Sequence, residues 1–114
     1  MFDFEKLTVY RKAKEFNSQV RIFIKTSELD RTTNDQLRRA AFSVVLNIAE
    51  GAGRFTNPDK RNFYIISRGS VFECVAIFDV LQDEEALPQE QYTHFYAQAE
   101  EISKMLFAMI RKLE

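Results

Sequence analysis

Two side chains in this sequence have the chemistry of a nucleophile and a base, Cys74 and His94, and each is the single residue of its type. A thiolate–imidazole pair works only within hydrogen-bond reach. Helical periodicity puts Cys74 on an apolar stripe with Phe63, Ser67, Ser70, Ile77 and Leu81, the surroundings of a buried, inert thiol. A di-iron site in a helical bundle takes two Glu-x-x-His motifs and further carboxylates. Here His94 is preceded three residues earlier by Gln91. Gly51-Ala52-Gly53 lacks the preceding strand, the third glycine and the lysine of a phosphate-binding loop. No catalytic residue, metal ligand or cofactor site is expected, and an enzyme is the least favoured class.

A second constellation is polar without being catalytic. Asn47 and Glu50 lie one turn apart on an otherwise apolar segment. A buried carboxylate costs several kcal/mol unless it is paired, and Arg39, Arg54 or Arg68 could supply the partner. Arg68-Gly69-Ser70 interrupts a helical run, with Glu73 one turn beyond. A mid-helix glycine costs about 1 kcal/mol relative to alanine, which points to close approach of a neighbouring helix at Gly69. Asn47, Glu50, Arg54, Ser70 and Glu73 are thus candidates for one shared polar site. The competing reading is a satisfied network that fixes helix register or a subunit contact, and it is the one favoured.

The third constellation is cationic. Arg31, Arg38, Arg39, Arg54, Lys60, Arg61 and Arg68 crowd the middle of the chain, with Phe55 and Asn57 among them. Arginine and lysine neutralise phosphates, and aromatic rings stack on exposed bases. Residues 31–69 carry seven basic and three acidic side chains, whereas residues 70–114 carry three basic and nine acidic. Such a dipolar surface suits self-association or a charged partner, and the plain alternative is solvated charge. Arg38, Arg39, Arg54, Lys60 and Arg61 are the candidate nucleic-acid contacts.

Four helices must position these groups. In the first, about Phe4 to Ser27, Val9, Ala13, Phe16, Val20 and Phe23 form one stripe. The second opens at Thr33-Asn34-Asp35-Gln36, a capping-box pattern, and stops at Gly51-Ala52-Gly53, where a left-handed glycine would close it. The third opens with Asn57 as N-cap before Pro58 and Asp59 and runs to about Glu85. The fourth starts near Pro88 and ends near Lys112, with Tyr92, Phe95, Ala99, Ile102, Leu106, Met109 and Leu113 as its seam. Short connections favour antiparallel neighbours, so the expectation is a single all-α domain over residues 1–114, an antiparallel up-down-up-down four-helix bundle.

With 114 residues, 46% of them hydrophobic, and only three glycines and two prolines, the composition suits long helices around one core. A single cysteine fits a reducing compartment. The N-terminus has no apolar stretch of a signal peptide, and no apolar run approaches about 18 residues, so a cytoplasmic protein with no membrane span is expected. From Ala40 to Ala49 the second helix is apolar almost all round, and Phe63, Tyr64, Ile65 and Ile66 are consecutive in the third. A helix in a monomeric bundle keeps a polar face, so homo-oligomerisation is expected to cover the excess.

The run from Leu37 to Arg54 resembles the signature of the four helix bundle proteins, also called 23S rRNA-intervening-sequence proteins. Its landmarks are Arg38-Arg39-Ala40 and Ser43, then Asn47-Ile48-Ala49-Glu50-Gly51 and Arg54. A second landmark, an aromatic helix carrying Gly-Ser and then Glu, matches Phe63 through Arg68-Gly69-Ser70 to Glu73. Phe4-Glu5-Lys6-Leu7 and Lys12-Ala13 also look familial. Val44-Val45-Leu46 departs from the family's usual triplet and makes this helix more apolar. The resemblance implies an antiparallel four-helix bundle assembled as a homopentamer, with no known enzymatic activity. It also implies kinship with the accessory variability determinant proteins of diversity-generating retroelements, strongly basic pentameric bundles that bind a reverse transcriptase and nucleic acid, whereas the pI here is about 5.9. The function expected is a non-enzymatic, homo-oligomeric scaffold that binds RNA or an RNA-associated protein. The alternative is a protein-interaction module with no nucleic-acid role.

Overall fold

Each of the four periodic segments becomes a helix in the computed structural model, which describes residues 1–114. A 3-10 turn over Asp3–Lys6 precedes α1 (Thr8–Thr26), α2 (Arg31–Ala52), α3 (Asn57–Asp83) and α4 (Gln89–Lys112). There is no strand.

Local chemistry sets the ends, and it corrects three expectations. α2 begins before Thr33, because Asp30 is the cap: its carboxylate accepts from the Thr33 amide at 2.8 Å and from the Thr33 hydroxyl at 2.8 Å. Thr33 is a donor to the cap and not the cap itself. A carboxylate suits the positive end of the helix better than a hydroxyl does. α3 likewise starts one residue early, with Thr56 Oγ1 accepting from the Asp59 amide at 3.2 Å, so Asn57 is already helical. At the end of α2 no glycine is left-handed. Gly51 stays inside the helix, and Gly53 closes it with φ −88°.

The left-handed residue is instead Glu85, φ 59°, just past α3. Ala86 N–H donates to the Leu81 carbonyl at 2.8 Å and Glu85 N–H to that of Gln82 at 3.0 Å. This is the paired bonding of a Schellman ending.

Cross-helix pairs fix the topology. Between α2 and α3, Ser43 meets Ser70 and the Gly51 position meets Tyr64. Between α3 and α4, Arg68 meets Phe107 and Phe78 meets Phe95. Between α1 and α4, Lys12 meets Glu101 and Gln19 meets His94. In every pair one number rises as the other falls, so neighbours run antiparallel. The backbones of α1/α2, α2/α3, α3/α4 and α1/α4 are adjacent, and neither diagonal pair is.

The core closes across the diagonal through aromatic rings. Phe16 of α1 meets Phe78 of α3 edge-on at 6.2 Å and Phe95 of α4 at 6.3 Å, while Phe78 and Phe95 stack at 4.8 Å. α2 contributes smaller side chains, Ala40, Ala41, Val44, Val45 and Ile48, all buried. Small residues bring α2 close to its neighbours, a packing that larger side chains would not allow. The result is a rod of 44 × 24 × 21 Å.

Candidate nucleic-acid interface

The seam between α2 and α3 is polar at its centre. Ser43 Oγ lies 2.8 Å from Ser70 Oγ, and Asn47 Nδ2 donates to both the carbonyl and the hydroxyl of Ser43, each at 2.9 Å. One turn deeper, Ser67 is fully buried and its hydroxyl donates to the Val44 carbonyl at 2.8 Å. Of the five residues expected to share a polar site, Asn47 and Ser70 are brought together, and they meet through Ser43. Ser43 and Ser67 carry the seam, and the sequence signal for them was a small polar residue one turn from Asn47 and from Ser70.

Glu50, Arg54 and Glu73 stand outside that seam. Three residues beyond Asn47 is about 60° further round the helix, and the Glu50 side chain is 59% exposed there. It pairs with Arg54 at 3.2 Å, a surface pair of the sort worth about 0.2–1 kcal/mol. The buried, paired carboxylate read from the apolar surroundings is therefore a solvated one. Glu73 is exposed on α3. Arg68 faces α4, with its guanidinium 4.8 Å from the Phe72 ring and 5.4 Å from that of Phe107. Gly69 makes no close approach to anything: a Cβ there would have no atom within 4 Å. The close approach belongs to Gly51, where a Cβ would stand 2.7 Å from Tyr64 Cε1 and 3.1 Å from Phe63 Cβ.

Cys74 is fully buried, and desolvation, reinforced by the charge of Glu73, pushes its thiol up to about 12. A thiol so held stays protonated near neutrality and is a poor nucleophile. His94 lies on the surface between α4 and α1, bonded through Nε2 to Gln19 Oε1 at 2.7 Å. No group of three or more His, Cys, Asp or Glu side chains converges, and no helix is long and apolar enough to cross a membrane.

The candidate cations divide into two sets. Arg38 and Arg39 are exposed on α2, and their side chains make no hydrogen bond or ion pair. Some 15 residues further on, roughly 20 Å along the axis, Arg54, Lys60 and Arg61 gather where α2 passes into α3. Each is held. Arg54 lies 4.5 Å over the Phe63 ring besides pairing with Glu50. Lys60 Nζ donates to the Ala52 carbonyl at 3.1 Å, capping α2, and Arg61 Nη1 donates to the Leu113 carbonyl at 2.9 Å, capping α4. Cations at helix C-termini satisfy orphan carbonyls and complement the dipole.

Antiparallel packing also sorts charge along the rod. The end built from residues 1–11, 50–62 and 104–114 carries eight basic and five acidic side chains. The opposite end, residues 25–36 and 79–94, carries two basic and eight acidic. A field with its positive pole at the α2–α3 turn follows.

Apolar side chains remain on the outside of α2 and α3: Phe42, Leu46, Ile65, Ile66, Phe72 and Val80 are each 42–56% exposed. Beside them a groove of about 620 Å³ runs between α3 and α4, lined by Phe72, Val75, Ala76, Tyr92 and Tyr96 among others.

No curated protein matches this chain in sequence. Its fold is shared with a protein of unknown function from the S23 ribosomal protein family of Bacteroides thetaiotaomicron, known from a crystal structure. The TM-score is 0.84 at 24% identity, covering 90% of this chain and 98% of that one. A family model for 23S rRNA-intervening sequence proteins matches residues 5–108. That span takes in both motifs, the α2–α3 seam and nearly all of the bundle, and the chain therefore belongs to the 23S rRNA-intervening sequence protein family.

Proposed function

We propose that this protein is a non-enzymatic scaffold that associates with copies of itself and binds RNA, or an RNA-associated protein, through its cationic surface. The observation that carries the reading is one outer face of α2. There the unpaired Arg38 and Arg39 flank Phe42, and Leu46 follows one turn on. Exposed apolar residues in that number on two adjacent helices support burial against another subunit, and a homopentamer is the assembly proposed. Unpaired arginines beside them are free to neutralise phosphates.

The RNA reading is tested by fluorescence anisotropy against a structured stem-loop at low and at physiological salt. Binding that weakens steeply with salt is expected, with a slope that counts the phosphates neutralised. Arg38→Glu with Arg39→Glu should abolish it and leave helicity unchanged. Undiminished binding by that double variant would remove the assignment of this surface. Self-association is tested by light scattering at micromolar concentration, where Phe72→Glu should reduce the mass to that of one chain.

A protein-binding module with no nucleic-acid role has the α3–α4 groove in its favour. Capture of one protein partner, insensitive to nuclease, by wild type but not by Tyr96→Glu would establish it.

A further inference from the structure

Phe55 is 99% exposed, the highest value among the large hydrophobic residues. It contributes nothing to the core, yet the turn that bears it is tightly held. On one side α2 ends under the Lys60 ammonium, and Arg54 is fixed by Glu50 and by the Phe63 ring. On the other, Thr56 caps α3, with Pro58 in its first turn. The ring therefore projects into solvent from the turn between α2 and α3, at the same end of the rod as Arg54, Lys60 and Arg61.

We infer that this end takes an unpaired RNA base on the face of Phe55, with the flanking phosphates on Arg54, Lys60 and Arg61; the inference rests on the nucleic-acid reading above and narrows it to single-stranded RNA. Stacking asks for an accessible ring and little else, because every base has a π-face. The phosphate donors remain available despite their structural bonds. An ammonium has three donors and Lys60 spends one on Ala52; a guanidinium has five and Arg61 spends one on Leu113. Those bonds hold the two side chains in place before RNA arrives, which lowers the ordering cost of binding. Duplex RNA keeps its bases stacked inside and presents none to the ring.

The probes are short oligouridine and a fully paired RNA duplex. Phe55 touches no core residue, so Phe55→Ala should unfold at the temperature of the wild type. It should bind oligouridine about 5- to 150-fold more weakly, with duplex binding unchanged. The chain has no tryptophan, so Phe55→Trp introduces a single reporter whose emission should be quenched by oligouridine and not by duplex. Equal oligouridine affinities for wild type and Phe55→Ala would overturn the inference, as would an unquenched Trp in a variant that binds. If oligouridine binding falls with the Arg38/Arg39 double variant but ignores Phe55→Ala, this inference fails alone; if wild type binds no RNA at all, both fail. A change of oligomeric state in Phe55→Ala without loss of RNA affinity would make Phe55 a protein contact and overturn it too.

Discussion

Gly51 lies against Tyr64 so closely that a methyl group on it would stand 2.7 Å from Tyr64 Cε1 and 2.9 Å from Cδ1. The ring is buried and belongs to α3 itself, so room for the methyl group has to come from moving a buried side chain or the helix that bears it. Gly51 is therefore a point of close contact between α2 and α3, about two turns along α2 from the Ser43–Ser70 bond. Gly51→Ala should destabilise the fold by about 1–3 kcal/mol, read as a lower denaturant midpoint. Gly69→Ala should do the reverse in the isolated subunit. With open space around it and a helix on either side, alanine there should add about 1 kcal/mol. On the proposed self-association, the same methyl group should weaken assembly, seen by light scattering.

Glu50→Ala should change stability by less than about 1 kcal/mol, because its pair with Arg54 is solvated. Ser67→Ala, at a fully buried donor, should cost about 1 kcal/mol through the lost bond to Val44. Chemical unfolding of the two variants side by side checks the order.

Asp30 holds its carboxyl below the ordinary 3.8 because the amide and hydroxyl of Thr33 both donate to it. A lowered folded-state value means the cap's contribution is complete above the unfolded value and lost as pH falls through the folded one. The melting temperatures of wild type and Asp30→Ala should differ near neutrality and converge in acid. Asp30→Asn should keep its contribution throughout that range.

Cys74 should resist thiol reagents in the folded protein at pH 8 and react at once in denaturant. Its thiol is raised from the ordinary 9.0 to about 12. Above pH 9 the unfolded chain loses the proton first, so fold stability should decline with rising pH. The decline should be smaller in Cys74→Ala, where buried Tyr64, its hydroxyl raised above the ordinary 10.0 by desolvation, still contributes; thermal unfolding at a series of alkaline pH values compares the two.

Glu85→Gly should stabilise the bundle by about 1 kcal/mol. The left-handed φ of 59° at the end of α3 is costly for a side chain and free for glycine. A rise in melting temperature is the readout.

Much of the architecture was local in origin and legible in the chain. The stripe from Val9 to Phe23 and the seam from Phe95 to Leu106 are buried as their spacing implies, because the helical period depends on neighbours three and four residues away. The apolar excess of α2 was legible as well, in Phe42 and Leu46, which keep roughly half their surface in solvent. The caps are less legible. Asp30 and Thr56 each compete with a plausible neighbour, and the choice turns on which oxygen meets the free amides.

Tertiary structure alone decided which polar groups meet. Ser43 and Ser70 are 27 positions apart, and each residue along a helix adds about 1.5 Å and 100°. One step in register or rotation would have carried Glu50 inward or Ser67 out. Charge followed the same rule: along the sequence the middle is basic and the final third acidic, but antiparallel packing sets residues 54–61 beside the end of α4 and Asp30 on the same end as Glu85 and Glu90. The sequence by itself determined four amphipathic helices, because periodicity is a short-range property. Only the fold decided that Arg38 and Arg39 stand apart from Arg54, Lys60 and Arg61 and that Phe55 crowns the basic end, because axial position within a bundle is set by packing between distant segments.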